Sequence, residues 1–308
     1  MDIALLYGGT SSEVNVSRSS AEAIAKALKQ NGHSVREFDW DERRIITKVE
    51  SLDGFDVVFL GYHGGAGEDG HVQAVLELAG IPFTGSGSVA SALAMNKVLS
   101  KYLFERVNIP SAAWCIVDKN DTSIDIVQKM SVQNFNLPVV IKPISQGSTV
   151  GISIVRSPDE LEPAIESAFQ FGDEIIIEKY ISGKEITVAI LGFEALPVVD
   201  IIAQNGFYDY QHKYTHGFSN YVCPADIGDD ISQRLQKIAL RAYRILGCRH
   251  YARVDFRLSE NNEPFCLEVN TLPGMTDLSL VPMAAKEAGI DFPELVERIA
   301  KMGAVEDK

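Results

Sequence analysis

YARVDFRLSENNEPFCLEVN, residues 251–270, consists of two alternating stretches joined by a turn. Ala252, Val254, Phe256 and Leu258 alternate with Arg253, Asp255 and Arg257. After Ser259-Glu260-Asn261-Asn262, Phe265, Leu267 and Val269 alternate with Cys266, Glu268 and Asn270. Successive side chains on a strand point to opposite faces, so both stretches read as strands and the polar turn makes them an antiparallel pair. One face is apolar and needs a core beneath it. The other gathers Arg253, Asp255, Glu268 and Asn270. Two carboxylates and an amide oxygen on a rigid ribbon form a hard, oxygen-only donor set, which suits Mg²⁺ (or Mn²⁺) bound together with substrate phosphates. An adjacent arginine suits an anionic transition state. A solvated sheet face with an Arg–Asp pair gives the same pattern. Thr271 to Thr276 follows at once, however, and Gly274 in that turn can bring a backbone N–H close to a ligand.

Upstream, Leu137–Lys142 is an apolar strand ending in lysine, followed by Gln146-Gly147-Ser148-Thr149-Val150-Gly151. Backbone N–H groups and hydroxyls of such a loop can fold over phosphate oxygens. No GxxxxGK[ST] is present, so a P-loop is excluded. With Lys142 beside the loop and the carboxylate ribbon downstream, ATP accounts for both. Glu178-Lys179-Tyr180-Ile181 ends a further strand and can hold adenine, with Glu185 for the ribose. Lys97 lies in a helical stretch, Val89–Arg106, where a surface lysine is the plain reading. Gly85-Ser86-Gly87-Ser88-Val89-Ala90 matches GxGxxA, but its preceding strand is minimal and it does not open the first βαβ unit, so a dinucleotide site is not expected there.

The N-terminal region runs strand (Ile3–Tyr7), Gly8-Gly9, helix (about Ser17–Gln30), strand (Phe55–Tyr62), which is a βαβ signal for a doubly wound parallel sheet. Gly70–Leu78 reads as a helix. Gly8-Gly9-Thr10-Ser11-Ser12-Glu13 sits at the carboxyl end of the first strand, where such folds bind ligands. Glu13 there can pair with a substrate ammonium, or simply complement a helix dipole. His63 follows another strand end and can orient a substrate. Phe207–Tyr214 is aromatic enough to close over a cleft. Helices are expected at Ser157–Phe171, Ile231–Leu246, Met283–Gly289 and Phe292–Met302, with strands at Ile152–Arg156 and Glu174–Lys179. Asn120–Asn134 reads as a flexible surface stretch.

Bulk properties bound the function. At 308 residues, two or three domains around one cleft are expected. The net charge of -14 disfavours nucleic acid. No window approaches the roughly 18 apolar residues of a membrane span, so no membrane partner is expected. The start, MDIALLYGG, lacks a basic leader, which points to the cytoplasm. The four cysteines form no CxxC pair and the six histidines no zinc spacing.

Taken in order, GGTSSE, HGGAGEDGHVQ, GSGSVASALAMNK, VIKPISQGSTVG, EKYISGKE, FYDYQHKY, ARVDF and LEVNTLPGMT-x-x-SLVP resemble the successive motifs of the D-alanine–D-alanine ligases of the ATP-grasp superfamily, over nearly the whole chain. The resemblance implies an α/β and α+β, three-domain ATP-grasp fold: an N-terminal doubly wound parallel-sheet domain (1–88), a central domain (89–182) and a C-terminal domain (183–308). ATP lies between the last two. It implies Lys97 and Lys142 on the phosphates, Gly147, Ser148, Thr149 and Val150 as a lid, and Glu178, Lys179, Tyr180, Ile181 and Glu185 around the nucleoside. Asp255, Glu268 and Asn270 would hold two Mg²⁺. Glu13 and His63 would receive the first D-alanine, and Ser279 and Leu280 the carboxylate of the second. Arg253 and the Gly274 N–H would stabilise the oxyanion. Tyr214 would sit on a mobile loop linked to Ser148 and Glu13, and Lys213 beside it would bind ATP and goes with an amine rather than a hydroxy-acid second substrate. The family also implies a homodimer. Asn15, Asn96, His71 and Asp277-Leu278 depart from its pattern. A relative joining D-alanine to D-serine or D-lactate, or making another dipeptide, is the near alternative. An ATP-binding sensor without chemistry is the distant one.

Overall fold

The computed structural model describes residues 1–11, 13–203, 219–276 and 279–305. Three sheets organise it. The first is parallel, in the order β2 (Ser34–Asp39), β1 (Asp2–Tyr7), β3 (Val57–Leu60). Helix α1 (Val14–Gln30) crosses between β1 and β2, burying Ala21, Ile24, Ala25 and Leu28 at helical spacing. β2 is absent from the sequence reading. SVREFD lies at the sheet edge with every residue at least partly exposed, so it carries no apolar run. α2 (Glu42–Lys48) and α3 (His71–Leu78) contribute Ile45, Val72 and Leu76 to the same core.

The second sheet is antiparallel: β4 (Trp114–Asp118), β7 (Glu174–Lys179), β5 (Val139–Pro143) and β6 (Ser153–Val155). Asn120–Asn134 is not a flexible stretch. It contains helix α6 (Ser123–Val132), started by a reciprocal cap in which Thr122 and Asp125 bond each other's backbone N–H, and anchored by buried Ile126 and Met130. The expected helix over 157–171 is a regular helix of about two turns, α7 (Leu161–Ala168), flanked by tighter 3₁₀ turns.

The third sheet has six strands. Its path is β11 (Ser219–Val222), β10 (Val199–Ala203), β8 (Lys184–Leu191), β12 (Tyr251–Leu258) and β13 (Pro264–Asn270), with β9 (Glu194–Ala195) beside β8. α8 (Asp229–Ile245) covers its apolar face. The expected single helix Val89–Arg106 is two: α4 (Ser88–Met95) and α5 (Lys97–Arg106). Asn96 leaves the helical region, and its side chain accepts the N–H groups of Val98 and Leu99, which caps α5. Ala90, Ala94 and Phe104 of this pair pack in the core of the third sheet. The last helices, α9 (Leu280–Glu287) and α10 (Phe292–Ala304), return to the first sheet: Leu295, Val296 and Ile299 are buried in the same cluster as Ile3, Leu5 and Phe59. No helix among the described residues is long and apolar enough to cross a membrane.

Candidate active site

The β12–β13 ribbon forms as its alternation predicts, with one correction. Arg253 lies opposite Asn270 and Asp255 opposite Glu268, but then Phe256 pairs with Cys266, leaving Leu267 as an extra residue. This bulge breaks the period of two. Cys266 therefore enters the core at 0% exposure, whereas Leu267, expected on the apolar face, lines the cavity on the other side. Without the bulge Cys266 and Glu268 would share a face. With it, Glu268 faces Asp255's side while the core stays apolar.

Two adjoining open cavities meet at this ribbon. The second lies between the four-stranded and six-stranded sheets. Its walls carry Lys142, Glu178, Lys179, Tyr180, Ile181, Glu185 and Asp255, with Gly147, Ser148 and Thr149 over them; Val150 lines neither cavity. Apolar walls come from Val140, Ile152, Ile154 and Leu267. The first cavity collects His63, Lys97, Arg253, Asn270, Gly274, Ser279 and Leu280 from all three parts of the chain. Glu268, Gln146, Gly147 and Ser148 line both. Asp255, Glu268 and Asn270 thus straddle the junction.

Lysines and carboxylates are tied together throughout. Lys97 is not a surface lysine: it is buried, donates to the Gln146 carbonyl at 2.7 Å and pairs with Glu268 at 3.2 Å. Its place as first residue of α5, fixed by the Asn96 cap, aims it there. Lys142 donates to Glu178 Oε2 at 3.0 Å. Arg253 grips Asp255 with two parallel hydrogen bonds, Nε to Oδ1 at 2.9 Å and Nη2 to Oδ2 at 2.8 Å. The buried Thr187 hydroxyl also donates to Asp255, at 2.6 Å. Arg257 reaches the Ile181 and Gly183 carbonyls and approaches Glu185 at 3.4 Å, pinning the segment after β7.

At the other end, Glu13 stands at the N-terminus of α1, buried, and accepts from the Ser148 hydroxyl. This joins the glycine-rich loop to the first sheet. His63 Nε2 lies 3.7 Å from Glu13, and His63 Nδ1 lies 3.0 Å from Glu68. Burial alone would depress the His63 pKa; the Glu68 and Glu13 carboxylates together outweigh it and hold His63 above the usual imidazole range. Burial would raise Glu68, but His63 keeps it below the usual carboxylate range. The close approach needs glycine at 64, where φ is +71° and a Cβ would meet a Glu13 oxygen at 2.7 Å. Ser279 accepts the Thr276 N–H at 2.9 Å, which folds the Gly274 turn against α9.

Sequence reasoning missed Glu68, Lys101, Thr187 and Leu267. HGGAGEDG was read for His63 alone, though a buried histidine needs a partner, and Glu68 is the acid in reach of the turn. Tyr214 and Lys213 lie outside the described residues, as do Asp277-Leu278. Asn15 and His71 are exposed, His71 against Asp69 at 2.7 Å, and neither lines a cavity. The GxGxxA turn opens α4, but the carboxylate of Glu77 occupies the Ser88 N–H at 2.9 Å, and Gly85 N–H donates to His250. Two of the N–H groups a dinucleotide phosphate would use are thereby taken within the chain.

Known proteins match this architecture. A family model described as D-ala D-ala ligase N-terminus matches residues 34–86, and one described as D-ala D-ala ligase C-terminus matches residues 103–301. A D-alanine–D-alanine ligase of Geobacter sulfurreducens is 45% identical, over 96% of this chain and 92% of its own. That of Moorella thermoacetica is 43% identical over 98% and 99%. The D-alanine–D-alanine ligase of Bacillus anthracis complexed with ATP superposes with a TM-score of 0.84 at 32% identity, covering 98% and 97% of the two chains. The VanG D-Ala:D-Ser ligase of Enterococcus faecalis gives 0.83 at 29%, covering 98% and 99%.

Proposed function

The chain belongs to the D-alanine–D-alanine ligase family, and from that membership we propose how its own side chains carry out the ligation. The protein is an ATP-dependent ligase that joins two D-alanine molecules, forming ADP and phosphate, and so supplies a cell-wall dipeptide. The site assignment rests on one observation: the Asp255–Glu268–Asn270 ribbon stands where the lysine-edged cavity meets the one lined by His63 and Ser279, whose Ser148 donates to Glu13.

A carboxylate is a poor acyl donor, since oxide is a bad leaving group. A carboxylate oxygen of the first D-alanine attacks the γ-phosphorus, ADP leaves, and an acyl-phosphate results. The amine of the second D-alanine attacks that acyl carbon; the C–O bond to phosphate breaks and the amine gives up a proton. Glu13 holds the ammonium of the first substrate, with His63 beside it. Ser279 and the start of α9 receive the carboxylate of the second. Lys97 and Lys142 balance phosphate charge, and Gly147 to Val150 cover it. Adenine lies against the apolar wall with Glu178, Lys179, Tyr180 and Ile181 at its edge and Glu185 at the ribose. Arg253 and the Gly274 N–H stabilise the oxyanion, a donor pair of which each member typically supplies about 3 kcal/mol. Since acyl-phosphates hydrolyse in water, a closing loop has a chemical purpose; Lys213 and Tyr214 are assigned to it.

Asp255, Glu268 and Asn270 are oxygen donors only, on two paired strands beside the phosphate lysines, and fit two Mg²⁺ or Mn²⁺ ions. Such ions, when bound with ATP, neutralise phosphate oxygens. We divide the chain at 88 and 182, with α4 and α5 bridging the last two units, and assign it to the cytoplasm as a homodimer on family resemblance. ADP release on adding D-alanine, L-alanine or D-lactate tests the reaction: D-alanine alone should support it. Since one solved relative is a D-Ala:D-Ser ligase, D-serine belongs in the panel as second substrate, and a mixed product in excess of D-alanyl-D-alanine would overturn the assignment.

A further inference from the structure

Lys101 follows Lys97 by one turn of α5, on the same face. It is 0% exposed, and the reaction as derived above makes no use of it. Its Nζ pairs with Glu178 Oε1 at 3.3 Å, while Glu178 Oε2 accepts from Lys142 at 3.0 Å. One buried carboxylate therefore lies between two buried lysines. Glu178 and Lys142 line the second cavity and Lys101 does not. Withdrawing an ammonium from water is costly, and an apolar side chain of that length would fill the space without the cost. Burial pulls the Lys101 pKa down against the pull of Glu178, and Glu178, which burial would raise, is held below its usual range by the two lysines. Lys142 is the one lysine of the trio that lines the cavity, where an incoming phosphate can meet it.

We propose that Lys101 is a positioning residue for the nucleotide: from behind the cavity wall it pins the Glu178 carboxylate, which in turn fixes the Lys142 ammonium before ATP arrives. The inference rests on the second cavity being the nucleotide site. Preorganisation of this kind spares the ligand the cost of ordering its own contacts.

The test is titration of the full chain with Mg·ADP, which needs no D-alanine and so reads the nucleotide site apart from the ligation. Lys101→Met is expected to weaken the Mg·ADP Kd about tenfold or more, while the KM for D-alanine moves less than about twofold. In a Glu178→Gln background the same substitution should change the Kd less than about twofold, because the route through Glu178 is already cut. Equal losses in both backgrounds, or an unchanged Kd in Lys101→Met, overturn the proposal. If Lys101→Met does not fold, Lys101→Gln, which keeps an N–H donor, carries the test: a several-fold weakening is expected and wild-type affinity overturns it. A wild-type chain that binds no Mg·ADP overturns the nucleotide reading and this one together.

Discussion

His63 and Glu68 form a buried pair whose charge depends on pH in a calculable way. The raised His63 pKa adds stability below its unfolded value and loses it as pH rises through the folded one; the lowered Glu68 pKa adds stability above its unfolded value and loses it as pH falls. Both contributions are complete between about pH 4.3 and about pH 6.5, the ordinary values of the two groups. In Glu68→Gln, only Glu13 is left to oppose burial at His63, so its titration midpoint should fall; the imidazole proton shifts in NMR report it, and a midpoint at or above the wild-type one contradicts the pairing. The stability difference between the two proteins should peak within that window. At the same scale, Lys142→Ala and Glu268→Ala are each expected to lower D-alanine-dependent ADP release by a factor of about 100 or more, with circular dichroism unchanged. Near-normal turnover in both would remove the site from this ribbon. Those two residues were legible because a lysine ending an apolar strand and an acid on an alternating ribbon announce their direction. Glu68 and Lys101 were not: a turn acid and a mid-helix lysine look solvated until the fold buries them.

Elements were legible where their apolar period was strong, as in α1, β5, β7 and β12, and illegible where one residue interrupts it. Asn96 is such a residue. Its side chain starts α5 anew, so Asn96→Ala should cost about 1 kcal/mol of stability, seen as a lowered Tm, whereas Asn96→Asp keeps the cap and should melt near wild type. Leu267 is another. Deleting it would leave Glu268 opposite Asp255 and Cys266 opposite Phe256 with the bulge removed. The shortened chain is therefore expected to fold, but to bind Mg·ADP about tenfold more weakly for want of one apolar wall, roughly 1–2 kcal/mol. Unfolding of that deletion variant would show that the bulge sets the register of the ribbon. The edge strand β2 and the helix α6 escaped the sequence for a related reason: half-exposed elements carry too few apolar residues to display a period.

Across the whole molecule, the first sheet depends on residues made more than two hundred positions later. Leu295, Val296 and Ile299 of α10 are each 0% exposed within its core. Burying a side chain of that kind contributes roughly 1.5–3 kcal/mol. A fragment ending at residue 88 lacks all three and is expected to show no cooperative thermal transition and little amide protection by hydrogen exchange. A sharp melt from that fragment would show the sheet to be self-sufficient. During synthesis the same dependence imposes a delay: with β3 complete at Leu60, more than two hundred residues must still leave the ribosome before α10 can dock. At about 5–20 residues per second that is of the order of 10–50 s, during which the growing chain presents an uncovered apolar sheet that aggregation or a chaperone can reach.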